Sequence, residues 1–415
     1  MFAVNQTYRS KGRGDLYLGE DALVIETGDA CIAINRRTRQ QVRLNPSAHR
    51  LMVAIGHNPG SGTARELALR MPRFVSGART AGILAHDELP GGRVCVLRTS
   101  VHRVFVELTS ACNLKCQHCY GSFGPSGREA VALEVLERLI AQASEIGVYR
   151  FDLTGGEPMM HPEFDRVLEV LGEKSMLFWI FSNLTHVASS TLSVLQRYPA
   201  ASVITSLESH RAEVHDAYRG QRGSHARTLA NIEALQAIGV PIKVNLVVGR
   251  HNYGEIERTI AWLRSLAVTV VVDTVHVEGR ADSTLQISPG EARSLQGLLS
   301  KSGAGGAPSE RCGVAAEMVY VDSSGVVRLC PSLRQHEYTL GDARQVDFDL
   351  AAAVSEMRAR FAAFHQPRCS VTCSARTMCD GGCQARSINL NGAPWRPDPE
   401  MCSRHLPLTV QQNRA

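Results

Sequence analysis

Three cysteines spaced C-x3-C-x2-C, Cys112-Asn-Leu-Lys-Cys116-Gln-His-Cys119, are the residues of this 415-residue chain best placed to do chemistry. They follow an apolar run, Val104 to Ser110, that reads as a strand. Three thiolates on one short loop can hold three irons of a [4Fe–4S] cluster and leave the fourth iron without a protein ligand. An open iron can bind a small molecule, which points to catalysis more than to electron storage.

A chain of this length has room for two or three domains. An apolar content of 44% with 20% charged residues is that of an ordinary soluble globular protein. The N-terminus lacks the apolar core of a signal peptide, and no run approaches the length of a membrane span. A cytoplasmic protein that does not enter a membrane is therefore expected. In a reducing compartment twelve cysteines argue for metal or redox chemistry over disulfides. Three fall at 112–119 and seven between Cys312 and Cys402, while Cys31 and Cys95 stand alone and read as small buried apolar residues. The net charge is +5, and residues 1–95 hold 13 Arg and Lys against 8 Asp and Glu, so the rest of the chain is near neutral. Such a balance is too mild to indicate nucleic acid. It suits an acidic peptide near the N-terminus.

The elements that must position these residues form three regions. Residues 20–45 read as a small antiparallel unit, with strands Ala22–Thr27 and Ala30–Asn35 flanking Gly28-Asp29 and a third strand over 40–44. Helices over 46–55, 62–71 and 76–84 complete a winged-helix-like module. Residues 100–280 alternate strands (103–109, 150–154, 176–181, 202–207, 241–248 and 270–277) with helices (130–146, 163–172, 188–198, 226–238 and 254–267). Five crossovers of this length imply parallel strands and an α/β fold, a partial (β/α)6 or full barrel, with function at the carboxyl ends of its strands. Residues 281–311 read as a connector with one helix over 289–301. Residues 312–405 are cysteine-rich with little periodicity.

The cysteine loop resembles that of the radical S-adenosylmethionine (SAM) superfamily, and Thr154-Gly-Gly-Glu-Pro158, ending the second strand, resembles the GGEP motif of the same superfamily. The resemblance implies a SAM-binding [4Fe–4S] cluster on Cys112, Cys116 and Cys119. It also implies SAM held by Gly155, Gly156, Glu157 and Pro158. The two glycines would let the backbone approach the methionyl ammonium, and Glu157 would stabilise its charge. Reductive cleavage of SAM in this superfamily gives methionine and a 5′-deoxyadenosyl radical; the cofactor carries the hard chemistry and the protein positions it. Further positions implied to meet SAM are His118 and Tyr120 on the cluster loop, Ser182 and Asn183 after the third strand, and Ser206 and Glu208 after the fourth. His215-Asp-Ala-Tyr-Arg219-Gly220 is similar to a family motif whose arginine pairs with the SAM carboxylate. The chain reads Ser-Leu-Glu208-Ser209 where relatives carry Ser-Leu-Asp-Gly, a departure at Glu208. Asn245 lies on the fifth strand with either orientation open. The chain does not reveal a catalytic acid or base.

The cysteine-rich tail resembles the SPASM extension of radical SAM enzymes, with Cys369-x3-Cys373 where the family has C-x2-C. By that resemblance Cys369, Cys373, Cys379 and Cys402 hold one auxiliary cluster, and Cys312, Cys330 and Cys383 supply a second that is one thiolate short. Zinc, which favours four ligands in paired knuckles, fits these spacings poorly.

Residues 20–85 are similar to the peptide-chaperone domain of pyrroloquinoline quinone biosynthesis, a leader-peptide recognition element. A leader could add a strand to the open edge of the small sheet, beside Arg36, Arg37, Arg39 and Arg43.

The expected function is thus maturation of a ribosomally made peptide. Residues 1–95 bind the leader, the barrel at 100–280 abstracts a hydrogen atom from the core, and a C–S or C–C crosslink or related modification follows. The residue 312–405 domain accepts the leftover electron, and an external donor such as flavodoxin or ferredoxin supplies electrons. Alternatives are a sulfatase-maturase-like oxidation of a protein Cys or Ser, and peptide epimerisation with Cys95 as hydrogen donor. Outside enzymes, an iron–sulfur electron carrier or regulator is the alternative that the GGEP motif argues against.

Overall fold

The structure is a computed structural model, and it describes residues 16–19, 22–27, 30–35, 37, 40–58, 61–85, 93–96, 101–302, 318–362, 382–392, 396 and 398. The N-terminal part begins with β1 (Tyr17–Leu18), β2 (Ala22–Thr27), β3 (Ala30–Asn35) and β4 (Gln41–Leu44). Three helices follow, α1 (Pro46–His57), α2 (Gly62–Arg70) and α3 (Pro72–Thr80), then β5 (Leu84–Ala85) and β6 (Arg93–Val96). Thr27 pairs with Ala30 across the β2–β3 ladder, the register a two-residue hairpin connection requires; Gly28-Asp29 itself lies outside the described residues. Asn45 caps α1 by accepting from Ser47 N and Ala48 N, and Pro46 occupies the first turn where no donor is needed.

Two details differ from the sequence expectation. The third helix runs over 72–80 and not 76–84, because Pro72 starts it and Gly82, at φ +63°, ends the turn that follows. The sheet has four strands in the order β4-β3-β2-β6, since β6 pairs parallel with β2. Period-2 alternation then buries both faces. Ala22, Val24 and Ala33 pack with Leu51, Met52 and Ile55 of α1, whereas Leu23, Ile25 and Ile34 pack with Tyr149 and Leu177 of the next region.

That region contains β7 (Arg103–Thr109), α4 (Leu133–Glu145), β8 (Arg150–Gly155), α5 (Phe164–Glu173), β9 (Leu177–Phe181) and α6 (Ser189–Arg197). It continues through β10 (Ser202–Ser206), α7 (Ala212–Arg219), α8 (Ser224–Ala237), β11 (Ile242–Val248), α9 (Ile256–Ser265) and β12 (Thr269–Thr274). The six strands are parallel and lie in sequence order, so each crossover helix packs back on the sheet. Helix α4, for example, buries Val135, Leu136, Leu139, Ile140 and Ala143 on one stripe against it. Helix α7 was not expected; it is eight residues long, and its last five residues, His215 to Arg219, belong to the stretch read as a motif.

After β12 come α10 (Pro289–Ser302), β13 (Met318–Val321), β14 (Val326–Arg328), β15 (Thr339–Asp342), α11 (Leu350–Ala362) and α12 (Gln384–Asn391). Strand β13 pairs parallel with β7, and β14 and β15 add antiparallel, so one nine-stranded sheet runs β12-β11-β10-β9-β8-β7-β13-β14-β15. The amino end of the six-stranded unit is plugged by charge. Buried Asp152 binds Arg150 at 2.6 Å and Arg103 at 3.4 Å, and Trp179 has Arg150 3.5 Å and Lys243 4.1 Å from its ring centroid. No helix of the described residues is long and apolar enough to cross a membrane.

Candidate active site

The chain leaves β7 into the cysteine loop, whose backbone is fixed from two sides. Cys112 N donates to Gly124 O at 3.1 Å, and Lys115 N and Gln117 N donate to Arg219 O and Tyr218 O at 3.2 and 3.0 Å, satisfying carbonyls at the end of α7. Gly220, left-handed at φ +72°, closes that helix against Lys115. Cys112 and Cys116 are buried, Cys119 is half-buried, and all three are free thiols packed with Leu114, Tyr120 and Phe123. Burial pushes the Cys112 thiol up to about 12, and it pushes Cys119 up as well, so these thiols stay protonated at neutral pH without a metal. Among the described residues no three His, Cys, Asp or Glu side chains converge as a single ion needs. A cubane asks for a wider triangle, because each thiolate binds a different iron corner.

Gly155 and Gly156 sit where β8 ends beside this loop. Gly156 N donates to Thr109 O at 2.7 Å and Glu157 N to Ala111 O at 2.8 Å. A Cβ at 156 would stand 2.8 Å from Ser110 O and closer to the Ala111 carbonyl, and Gly155 adds a φ of +130°. The glycines thus allow β8 to approach the start of the cysteine loop, a demand of packing between the two motifs. Glu157 is buried. Its Oε1 accepts from Ser182 Oγ at 2.7 Å and Met159 N at 3.2 Å, and its Oε2 from Asn183 N at 2.7 Å. Burial raises its carboxyl to about 7 against those bonds.

Asn183 Nδ2 donates to Asn113 Oδ1 at 2.8 Å, and Asn113 Nδ2 donates to Thr185 Oγ1 at 2.7 Å, linking the third strand's end to the cysteine loop. Ser206 faces Asn245 across the β10–β11 register, and both point into the same cavity. Arg219, 7% exposed, donates from Nη1 to Cys116 Sγ at 3.4 Å and has Nη2 2.9 Å from Glu208 Oε1. That contact is an ion pair off the angle of a hydrogen bond, since Arg219 Nη2 and both Glu208 oxygens are buried without one. Burial works to raise the Glu208 carboxyl, but Arg219, His251 and His118 together outweigh it and hold the group at about 2. Burial lowers His118 to about 4, so its ring is neutral; it stacks on Tyr218 at 4.9 Å, which stacks on His251 at 3.5 Å. Tyr120 donates to Glu107 Oε1 at 2.9 Å.

One cavity of about 340 Å³ at the carboxyl ends of the strands gathers these groups, within the range of small-molecule sites. The three cysteines line it with His118, Tyr120, Gly155, Gly156, Ser182, Asn183, Ser206, Asn245 and Arg219. Glu157, Pro158 and Glu208 do not line it. Glu157 and Glu208 act from behind, through Ser182, Asn183 and Arg219. The donor set fits a three-thiolate cluster with a polar ligand beside it. The cavity's far wall is the end of β12, with Asp273, His276, Glu278 and Arg280.

Sequence reasoning did not single out Asn113, Glu107, Arg280 or Arg334. Only Glu107 carried a signal, as a carboxylate inside an otherwise apolar strand. It is fully buried, and Arg334 Nη2 binds it at 2.7 Å. In the tail, Cys330 and Cys383 share one packed group with Leu333 and Ala385. Cys383 caps α12, and its N–H donates to Asp398 Oδ2 at 2.9 Å. Cys312, Cys369, Cys373, Cys379 and Cys402 lie outside the described residues.

Residues 106–263 match the family model of the Radical SAM superfamily. The chain therefore carries a radical SAM domain and is an enzyme of that class, whose cofactors are a [4Fe–4S] cluster and SAM. It is similar to the antilisterial bacteriocin subtilosin biosynthesis protein AlbA of Bacillus subtilis, 27% identical over 70% of this chain and 68% of that protein. It is also similar to the mycofactocin maturase MftC of Mycobacterium ulcerans, 26% identical over 74% of this chain and 90% of the relative. In fold it resembles SuiB of Streptococcus suis, solved bound to its precursor peptide SuiA, with a TM-score of 0.68 at 16% identity over 92% of this chain and 98% of SuiB.

Proposed function

We propose that this chain is a radical SAM maturase that modifies a ribosomally made precursor peptide, installing a C–S or C–C crosslink or a related change. The observation that carries the reading is the single cavity in which three free thiols meet the paired glycines and the polar ends of β9, β10 and β11. When bound, the cluster and SAM supply a 5′-deoxyadenosyl radical able to remove a hydrogen atom from a substrate carbon. Cys112, Cys116 and Cys119 hold the cluster. The Gly155–Gly156 backbone, Ser182, Asn183, Ser206 and Arg219 hold SAM, with His118 and Tyr120 at its rim. Glu157 orients Ser182 and Asn183, and Glu208 keeps Arg219 charged and aimed.

Residues 1–95 form the winged-helix-like leader-binding domain in this reading. Its support is strand β4, the terminal strand of the four-stranded order, which leaves an edge for an added peptide strand among the described residues. Residues 100–280 form the partial barrel and 281–311 a connector. Residues 312–405 form a SPASM domain carrying two auxiliary clusters on Cys312, Cys330, Cys369, Cys373, Cys379, Cys383 and Cys402. The shared packing of Cys330 and Cys383 supports placing them on one cluster. An external flavodoxin or ferredoxin supplies the reducing electron, in the cytoplasm.

The test is anaerobic reconstitution of the full chain with iron and sulfide, followed by reduction in the presence of SAM. The wild type forms 5′-deoxyadenosine and holds about twelve irons. Replacing Cys112, Cys116 and Cys119 with alanine abolishes the product and lowers the count to about eight. Absence of 5′-deoxyadenosine from the reconstituted wild type would overturn the enzymatic reading, and four irons per chain would overturn the tail assignment.

A further inference from the structure

The loop that presents the three thiols is tied down by one segment that no motif marks. Beyond β12 the chain passes through Glu278, Gly279 and Arg280. The Arg280 backbone N–H donates to the Cys119 carbonyl at 3.0 Å. Its side chain donates from Nε to the Cys116 carbonyl at 2.8 Å and from Nη1 to the Phe123 carbonyl at 2.7 Å. A single residue thus takes three carbonyls of one loop, two of them belonging to thiol-bearing residues. Gly279 makes the approach possible. It adopts φ +61°, and a Cβ there would stand 2.6 Å from the Tyr120 carbonyl carbon and closer to the Cys119 and Tyr120 oxygens.

The grip also reaches beyond the loop. Glu278, next in the chain to Gly279, accepts from Ser332 Oγ at 3.0 Å, and Ser332 lies two residues after Cys330. On its other side the loop rests on the end of α7, so Arg280 and α7 hold it between them.

We propose that Arg280 is a positioning residue that fixes the shape of the cluster loop, and with it the triangle of the three sulfurs, before any cluster is built. The proposal rests on the reading of Cys112, Cys116 and Cys119 as cluster ligands. The planar guanidinium is suited to the task because two of its nitrogens reach two carbonyls in fixed geometry, which an ammonium on a flexible stem cannot reproduce. Two charge-assisted bonds, added to the backbone bonds the loop makes with α7 and with Gly124, set the scale of the effect.

The test uses full-length Arg280→Gln and Arg280→Lys proteins beside the wild type. In the iron-free proteins, hydrogen exchange at the amides of Cys112–Gly124 is expected to quicken by about tenfold in Arg280→Gln, with the amides of α5 unchanged. After reconstitution, iron passes to an excess of ferrous chelator about tenfold faster, and the electron paramagnetic resonance spectrum of the reduced cluster changes. Arg280→Lys, which keeps the charge and can reach one carbonyl, falls between the two. Wild-type exchange and iron release in both variants would overturn the proposal. If Arg280→Gln loses protection throughout, the Lys variant decides by the same measures. A wild type that assembles no cluster on residues 112–119 refutes the proposed function itself. A stable wild-type cluster with equally stable variants refutes only the role of Arg280.

Discussion

Replacing Gly156 with alanine tests whether the two motifs must touch. The new methyl would lie 2.7 Å from the Ala111 carbonyl carbon and 2.8 Å from Ser110 O, where ordinary contact begins at 3.4 Å. Both obstacles are backbone, so no side chain can swing aside; β8 and the start of the cysteine loop must part by about 1 Å. Overpacking of this kind costs about 1–3 kcal/mol, a loss of a few degrees in Tm for a chain of this size. The effect on chemistry is larger, because a reacting group misplaced by about 1 Å loses about 10²-fold in rate. The assay is the initial rate of 5′-deoxyadenosine formation by anaerobically reconstituted protein, normalised to iron content, with Tm measured alongside. A Gly156→Ala protein that keeps full iron and the wild-type rate would refute the argument that this approach positions the thiols. Gly155→Ala, which adds a φ of +130°, should be worse on both counts.

Two further outcomes follow from buried charge. The Glu157 carboxyl, ordinarily near 4.5, sits at about 7 in the fold, so the native state binds the extra proton between those values. Its contribution is therefore present below pH 4.5 and lost as pH rises through 7, about 3 kcal/mol in all. Comparing urea unfolding of the iron-free wild type and Glu157→Gln across this window cancels the opposite contributions of His118 and His215, whose values are lowered; a flat difference would disprove it. Arg334→Ala leaves Glu107 buried without its cation and should cost about 2 kcal/mol, less than a fully enclosed pair because Arg334 is 39% exposed. An unchanged urea midpoint would show that Glu107 finds another partner.

The two motifs were legible because their chemistry is local: one short loop carries three thiols, and one strand end carries two adjacent glycines. The alternation of strand and helix over 100–280 was legible for the same reason, with strand ends within a residue of those observed except at β12, which stops three residues short of the expected 277. What escaped were ties that cross the chain. Arg280 reaches Cys116 over 164 positions and Arg334 reaches Glu107 over 227, and an isolated arginine in sequence does not reveal its partner. Parallel pairings such as β6 with β2 and β13 with β7 also have no local signature. Glu208 shows a subtler limit. The departure from the family's Asp was visible, but its place behind Arg219 depends on a buried ion pair between the loop after β10 and the last residue of α7.

The N-terminal sheet lies against Tyr149 and Leu177, which stand where β8 and β9 begin, while the thiols lie beyond where β8 and β9 finish. Strand β8 alone has six residues and covers about 20 Å. A molecule gripped at the first place and altered at the second must therefore bridge the full height of the α/β unit. Six or more extended residues between anchor and target act as a ruler, setting which side chain along the substrate comes within reach.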